Sequence, residues 1–294
     1  MNPAKPLIEM KKEKDFLICI DSDGCAFDAM EIKHKECFCP NFINHWNLQA
    51  VSKYAREVWE FVNLYSVNRG CNRFIAVIKA LDILAERPEA IERGYKKPDL
   101  TPLRNFVETE TKLANPALEK AVERTDDPVL RQTLAFSEGV NKSVAEIVRG
   151  VPPFPYVRES LEKAGKFADM IVVSATPGEA LIREWNEHDL ARYMKVIASQ
   201  EMGTKTEHIA YAKKNRYENN KVLKIGDALG DLKAAKDNGV LFYPINPGHE
   251  KESWKRFFEE GLDMFLNGKY QGEYESKLIE EFKSYLPAVP PWKK

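Results

Sequence analysis

Two aspartates stand at the end of an apolar segment near the start of the chain. Asp21 and Asp23 follow the run Phe16–Ile20, and residues two apart on an extended chain point to the same side. Gly24 comes next and allows the backbone to turn sharply. An ordinary turn rich in Asp and Gly is the structural alternative. The pair is a candidate for nucleophilic or acid–base chemistry by carboxylates.

A second pair of aspartates follows another apolar run. Asp227 comes just after Val222–Ile225, and Asp231 lies in the first turn of the next predicted helix. The helix macrodipole favours a negative charge there, which is a sufficient structural reason for Asp231. Open α/β sheets bind ligands at the carboxyl ends of their strands. Two strands that end in acidic residues therefore predict a hard-cation site, and oxygen ligands of this kind suit Mg²⁺.

A hydroxyl at the end of a third apolar run could bind a phosphate. Ser174 follows Met170–Val173, beside backbone N–H groups that can hold an anion. The alternative is a hydroxyl that is satisfied within its own turn. Thr176 and Glu179 predict a capping box with Pro177 at the first helical position, and this cap does not need Ser174.

One lysine stands where the helix macrodipole disfavours a cation. Lys205 follows Thr204 in a second predicted capping box, completed by Glu207. A lysine there is tolerated if it is exposed, and it makes more sense if an anion or a group of aspartates lies opposite. Lys195 is the competing lysine, but it precedes a weak strand.

The elements that must position these residues alternate between strand and helix. The predicted buried strands are Phe16–Ile20, Met170–Val173, Val222–Ile225 and Val240–Ile245, with Val196–Ala198 as a weaker fifth. Helical patterns lie near Gly178–His188, Thr206–Lys214 and Gly230–Asp237. This alternation predicts an α/β fold, a Rossmann-like doubly wound parallel sheet.

Residues 29–150 break that alternation and predict an all-helical domain inserted after the first strand. Helical patterns lie near 47–65, 71–86, 101–113, 116–124 and 128–148. The stretch 151–156 carries three prolines and is interpreted as the return linker. The predicted organisation is an α/β core of residues 1–28 and 151–294, of which 250–294 form a helical C-terminal extension.

Taken together, these segments resemble the haloacid dehalogenase superfamily of phosphohydrolases. The family's Asp-x-Asp-Gly motif matches 21–24, its Ser or Thr after a strand matches Ser174, its lysine is best matched by Lys205, and its Gly-Asp-x-x-x-Asp motif matches 226–231. The helical insert resembles the C1 cap of members such as β-phosphoglucomutase and related phosphatases. Lys205 is followed by Thr where relatives often have Pro.

The resemblance implies a catalytic mechanism. Asp21 would attack phosphorus and form an aspartyl-phosphate, while Asp23 would protonate the leaving oxygen and then deprotonate water. Mg²⁺ would be bound by Asp21, by the backbone carbonyl of Asp23 and by Asp227.

The resemblance also implies how substrate is held. Ser174 and Lys205 would bind the phosphoryl oxygens, and Asp231 would orient Lys205 or a metal-bound water. Arg69 and Arg73, near a predicted helix–helix turn, correspond to the cap's substrate-specificity loop. A solvated turn is the equally weighted alternative for these arginines.

The predicted activity is Mg²⁺-dependent hydrolysis of a small phosphorylated metabolite, and two alternatives stay open. Asp23 argues against dehalogenase-type and phosphonate-cleaving members, which lack this acid. A phosphomutase of the β-phosphoglucomutase type remains, as does a non-catalytic binding or regulatory protein. The intact aspartates argue against the last.

The composition of the chain argues against two classes of partner, nucleic acids and membranes. Its 294 residues carry 44 Lys and Arg against 45 Asp and Glu, so the basic excess of a nucleic-acid binder is absent. No apolar run approaches the ~18 residues that span a bilayer, and the charged start is unlike a signal peptide. We therefore expect neither nucleic acid nor membrane as a partner, and a cytoplasmic location. The oligomeric state stays open.

One cluster of soft-metal ligands is a weaker candidate. His34, Cys37, Cys39 and His45 lie close together in the sequence, but Cys37 and Cys39 are nearer than zinc cysteines usually are. Neighbouring aromatic residues favour a core segment. An odd number of cysteines, five, fits a reducing compartment better than a disulfide framework.

Overall fold

The computed structural model describes residues 2–293, which form two compact units. We call Met1–Met30 with Gly150–Pro287 the sheet unit, and Glu31–Arg149 with Ala288–Lys294 the helical unit. The chain thus leaves the sheet unit soon after its first strand and returns to it at Gly150.

The sheet unit contains five parallel strands in the order β3-β2-β1-β4-β5. The strands are β1 Phe16–Ile20, β2 Ala168–Val173, β3 Val196–Ala198, β4 Val222–Gly226 and β5 Leu241–Pro244. All five were predicted, and the doubly wound α/β fold is confirmed. Because β1 lies between β2 and β4, the sequence-distant ends of three strands become neighbours at its carboxyl end.

Helices account for most of the remaining chain. They are α1 Lys5–Ile8, α2 Ala29–Ile32, α3 Cys39–His45, α4 Ser52–Leu64, α5 Arg73–Ala85, α6 Pro88–Glu92, α7 Thr101–Thr109, α8 Asn115–Thr125, α9 Pro128–Ile147, α10 Val157–Ala164, α11 Gly178–Glu187, α12 Lys205–Lys213, α13 Leu229–Asp237, α14 Glu250–Arg256, α15 Leu262–Leu266 and α16 Glu273–Ser284. Between residues 2 and 293, none of them is both long and apolar enough to cross a membrane.

The helix that opens the insert was not predicted. α2 and α3 are joined by a π-helical stretch, Lys33–Phe38. Such a stretch interrupts the 3.6-residue periodicity on which helix prediction depends, and a proline stands in the first turn of α3. The short α6 was also missed, whereas the five predicted helical segments correspond to α4, α5, α7, α8 and α9.

The helical unit has its own aromatic core. Trp59 of α4 is fully buried and contacts the rings of Phe42 and Phe136, at centroid distances of 4.7 and 5.8 Å. Trp292 packs edge-on against Phe61 and lies over the guanidinium of Arg87 at 4.5 Å. These contacts explain why Ala288–Lys294 belongs to the helical unit, whereas the sequence had placed the whole C-terminal extension with the core.

Candidate active site

Three buried carboxylates meet at the ends of β1 and β4. The two strands pair with Ile20 opposite Ile225, and the Asp21 N–H donates to the Ile225 carbonyl at 3.0 Å. Carboxylate oxygens of Asp21, Asp227 and Asp231 all lie within 4.8 Å of one another. Both sequence-predicted aspartate pairs therefore contribute to one group, which we call the acidic trio.

Asp231 reaches this group because of the glycine that ends β4. α13 begins at Leu229, so Asp231 lies in its first turn as predicted. A Cβ at Gly226 would overlap the Cβ and Cγ of Asp231. Only glycine therefore allows the carboxylate to pack against the strand end. The sequence assigned Asp231 an orienting role, and a carboxylate oxygen of Asp231 lies within 4.8 Å of oxygens of both Asp21 and Asp227.

Lys205 connects two members of the acidic trio. Its Nζ lies 2.6 Å from Asp21 Oδ2 and 2.8 Å from Asp231 Oδ1. The predicted capping box is confirmed, with reciprocal hydrogen bonds between Thr204 and Glu207 that fix the start of α12. The unfavourable position of a lysine at a helix start is therefore offset by two carboxylates opposite it.

The competing lysine lies elsewhere. Lys195 precedes β3, and its Nζ is 2.7 Å from Glu13 and 3.4 Å from Asp169. Asp169 lies near the start of β2, at the amino end of the strands. Of the two lysines considered, Lys205 is the one that contacts the acidic trio.

A second lysine was missed in the sequence analysis. Lys224 lies in β4, is fully buried, and places its Nζ 2.9 Å from Asp231 Oδ1. It also donates to the Ile225 carbonyl at 3.0 Å. The available signal was a single charge inside an otherwise apolar strand that ends in Gly-Asp. The strand was read only for its hydrophobicity.

Burial and mutual charge set the protonation of these groups. Burial, and then repulsion by Asp231, raise the pKa of Asp21 to about 7, although the two lysines oppose this. Burial also acts to raise the pKa of Asp231, but Lys205 and Lys224 outweigh it and hold that pKa at about 2. Burial acts to lower the pKa of Lys205, yet Asp21 and Asp231 raise it.

Ser174 and Asp23 are joined through Thr176. The Thr176 hydroxyl donates to Asp23 Oδ2 at 2.8 Å, and its N–H donates to Ser174 Oγ at 3.2 Å. The predicted capping box of Thr176 and Glu179 is therefore wrong. Pro177 is the N-cap residue of α11, without a side-chain cap, and the hydroxyl of Thr176 is engaged by Asp23 instead.

The turn that carries Asp23 is held from its other side. Gly24 adopts a φ of 72°, in the left-handed region that favours glycine. The hydroxyl of Ser22 donates to Glu184 Oε2 at 3.0 Å and accepts from the Trp185 indole at 2.9 Å. Ser22 is fully buried, so these bonds fix the backbone between the two aspartates.

The donor set of the acidic trio fits a hard divalent cation. It offers carboxylate oxygens, the ligands that Mg²⁺ prefers. Asp231 Oδ2 is buried and has no hydrogen-bond partner among the described residues, so an oxygen is left over for a further ligand. A cation among these oxygens would also relieve the repulsion that raises the pKa of Asp21.

Two other predicted groups lie in the helical unit. Arg69 is buried and donates to the Leu64 carbonyl at 2.8 Å. Arg73 donates to the Ser137 hydroxyl at 3.0 Å and to Asn141 at 2.7 Å. These contacts fix both guanidinium groups within the unit, in contrast to a solvated turn.

The cysteine and histidine cluster does not assemble. Within residues 2–293, the acidic trio is the set of potential ligands found close enough to share a metal ion. Cys37 and Cys39 are buried in the helical unit, and His34 stacks on Phe38 at 4.7 Å. The core interpretation of this segment is therefore the one that the structure supports.

Comparisons with solved structures find remote similarities. A haloacid dehalogenase-like family hydrolase from Streptococcus pneumoniae is 14% identical, with coverage of 91% of this chain and 98% of that one and a TM-score of 0.45. A predicted phosphoglycolate phosphatase from Haemophilus somnus is 13% identical, over 82% and 89%, with a TM-score of 0.46. CbbY from Rhodobacter sphaeroides, in complex with phosphate, is 14% identical, over 79% and 87%, with a TM-score of 0.41. A comparison with curated proteins finds no significant match.

A protein-family model gives the decisive match. The model for haloacid dehalogenase-like hydrolases matches residues 88–244, more than half of the chain. The matched range contains Ser174, Lys205, Asp227 and Asp231. The chain therefore belongs to the haloacid dehalogenase-like hydrolases.

Proposed function

We propose that the protein is a Mg²⁺-dependent hydrolase of small phosphomonoesters that works through an aspartyl-phosphate. The observation that carries this proposal is the contact of Lys205 with Asp21 inside the acidic trio. A carboxylate nucleophile, a cation beside it and a buried set of oxygen ligands are the parts that phosphoryl transfer requires. Membership of a hydrolase family supports the same conclusion.

Asp21 supplies the nucleophile. Its Oδ1 accepts the Ser22 N–H at 2.8 Å and its Oδ2 contacts Lys205, so the carboxylate is held in one orientation. One of its oxygens attacks phosphorus, the bond to the leaving oxygen breaks, and the phosphoryl group is transferred to Asp21. The Lys205 ammonium and the Ser174 hydroxyl neutralise and orient the phosphoryl oxygens.

Asp23 moves the protons. In its acid form it gives a proton to the departing ester oxygen, and as the resulting carboxylate it takes a proton from the attacking water. Water then cleaves the aspartyl-phosphate and releases inorganic phosphate. The hydrogen bond from Thr176 positions the Asp23 carboxyl beside the loop that carries Ser174.

The cation would be held by Asp21, Asp227 and the backbone carbonyl of Asp23, with Asp231 beside them. When bound, Mg²⁺ neutralises the negative charges of the phosphoryl group and of the carboxylates.

All five cysteines are free thiols, which supports a reducing compartment and hence the cytoplasm as the site of action. Substrate binding by Arg69 and Arg73 stays a prediction.

A panel of phosphomonoesters with Mg²⁺ tests the proposal, with inorganic phosphate measured as the product. We expect phosphate release that EDTA abolishes and excess Mg²⁺ restores, and none from Asp21→Asn. Full turnover in metal-free buffer would remove the metal from the mechanism. An isomerised ester without phosphate release would instead identify a phosphomutase. No reaction with any ester would leave the binding-protein alternative.

A further inference from the structure

Lys224 carries a charge where the fold offers it almost no water. The side chain is fully buried, and its neighbours across the sheet, Cys19 of β1 and Phe242 of β5, belong to an apolar cluster. A buried charge at this depth is costly unless it is paired. Its side-chain partners are therefore expected to explain why the protein tolerates it.

The ammonium of Lys224 and that of Lys205 converge on one oxygen. Asp231 Oδ1 lies 2.9 Å from Lys224 and 2.8 Å from Lys205. The two lysines come from different elements, β4 and α12, and Asp231 from a third, α13. Lys205 also forms an ion pair with Asp21. Lys224 pairs with Asp231, and no ion pair between Lys224 and Asp21 is found within residues 2–293.

We infer that Lys224 is a positioning residue, which acts through Asp231 to hold Lys205 against the nucleophile and so prepares the site for a phosphate anion. The inference rests on the proposed function. Because Lys224 is rooted in the sheet and bonded to the Ile225 carbonyl, it fixes the Asp231 carboxylate independently of Lys205. Asp231 then offers Lys205 a fixed partner opposite Asp21.

A charge argument distinguishes this role from simple packing. The acidic trio has three carboxylates against the two ammonium groups of Lys205 and Lys224. Removal of Lys224 makes the site more negative, which favours a cation and disfavours phosphate. If Lys224 only filled space, its removal would weaken the binding of the cation and of phosphate together, or would affect neither.

The test compares Lys224→Met with Val222→Ala. Methionine keeps a long unbranched side chain without the charge. Val222 is fully buried two residues earlier on the same strand, so its truncation controls for lost packing. Calorimetric titration with Mg²⁺ alone, and with inorganic phosphate in the presence of Mg²⁺, reports both affinities, and KM and kcat are measured beside them.

For Lys224→Met we expect phosphate affinity to fall about 10–100-fold, the usual effect of losing a partner that orients a ligating group. KM should rise accordingly, while Mg²⁺ should bind at least as tightly as to wild type. Val222→Ala should lower stability and leave both affinities near wild type. Unchanged phosphate affinity in Lys224→Met, or a parallel loss of both ligands, would overturn the inference.

A second variant covers poor folding of the first. Lys224→Met combined with Asp231→Asn removes both charges of the buried pair, which is better tolerated than removal of one. If Lys224 acts through Asp231, the double variant should bind phosphate no more weakly than Asp231→Asn alone. A further additive loss contradicts this route. Failure of the proposed function is recognised separately, because the wild-type protein itself would then bind no phosphate.

Discussion

The two aspartates at the end of β1 have different surroundings. Neutralising each of them should therefore affect catalysis in a different way. Asp21 is buried and contacts Lys205, whereas Asp23 is half-buried and bonded to Thr176. Asp21→Asn removes the attacking atom, while Asp23→Asn leaves the nucleophile and removes the proton donor. Identical behaviour of the two variants would be hard to reconcile with these environments.

Leaving-group dependence separates the two roles. Since general acid catalysis is worth about 10²–10⁴-fold, Asp23→Asn should lose about that much with alkyl phosphates. An aryl phosphate, whose leaving group needs little protonation, should lose less in the first step. Asp21→Asn should be inactive with both esters. Steady-state and burst kinetics on a matched alkyl and aryl pair measure this, and near-normal turnover of Asp21→Asn would refute its assignment as nucleophile.

The glycine at the end of β4, Gly226, is expected to matter through the space it leaves for Asp231 rather than through any chemical role. Gly226→Ala places a methyl group where the Asp231 carboxylate lies, so either the strand end or α13 must move. Overpacking of this kind costs typically about 1–3 kcal/mol. We expect lower stability together with weaker phosphate binding, because Asp231 can no longer hold Lys205 as it does now.

Gly230 provides the matched control for this variant. It lies in α13, and a Cβ there meets no atom within 4 Å. Gly230→Ala should therefore be neutral or stabilising by up to about 1 kcal/mol, with phosphate binding intact. Denaturant unfolding and calorimetry on the two variants give the comparison. Equal loss of phosphate binding in both would show that the space around Asp231 is not what matters.

At the level of elements, the start of α12 determines where Lys205 stands. Lys205 is the first residue of that helix, and the Thr204 hydroxyl accepts the Glu207 N–H at 3.2 Å. Thr204→Ala should cost about 0.5–2 kcal/mol, the usual value of an N-cap. Because the first turn frays without its cap, KM should rise as well. Thr204→Ser keeps the hydroxyl and should restore both, whereas a rise in KM that serine does not reverse would exclude the cap as its cause.

The elements also show how far sequence reasoning reaches. Apolar runs are local signals, and they located all five strands. The acidic residues that follow two of these runs located both aspartate pairs. Signals that depend on three-dimensional neighbours were lost. Lys224 was overlooked because its partner Asp231 lies in the following helix and is not evident from the strand alone. The role of Thr176 was misassigned because its hydrogen bond to Asp23 joins segments that follow two different strands.

At the scale of the whole molecule, the charged groups of the candidate site cluster in one of the two units. The acidic trio, both lysines and Ser174 belong to the sheet unit, although Glu31–Arg149 separates Asp21 from the others along the chain. The C-terminal segment belongs to the helical unit for a reason that composition does not reveal, the contacts of Trp292 with Phe61 and Arg87. The place of the C-terminal segment is therefore set by tertiary contacts rather than by local sequence pattern.

Stability of the whole molecule should depend on the pH through one buried histidine. His208 of α12 is fully buried, and burial followed by the charge of Lys224 lowers its pKa to about 4. In the unfolded chain a histidine has a pKa of about 6.5. Between these values the unfolded state binds a proton that the folded state does not, so stability falls as the pH falls from about 6.5 towards 4 and is fully present above that range.

Replacement of this histidine by leucine should remove that pH dependence. One pKa unit corresponds to about 1.4 kcal/mol, so the wild type should lose on the order of 3 kcal/mol across this range through His208. In His208→Leu the unfolding free energy should decline less over the same range, while other titrating groups affect both proteins alike. Urea unfolding at several pH values, compared between the two, isolates the difference. Parallel curves would contradict the prediction. They would mean that His208 takes up its proton as readily in the folded protein as in the unfolded chain.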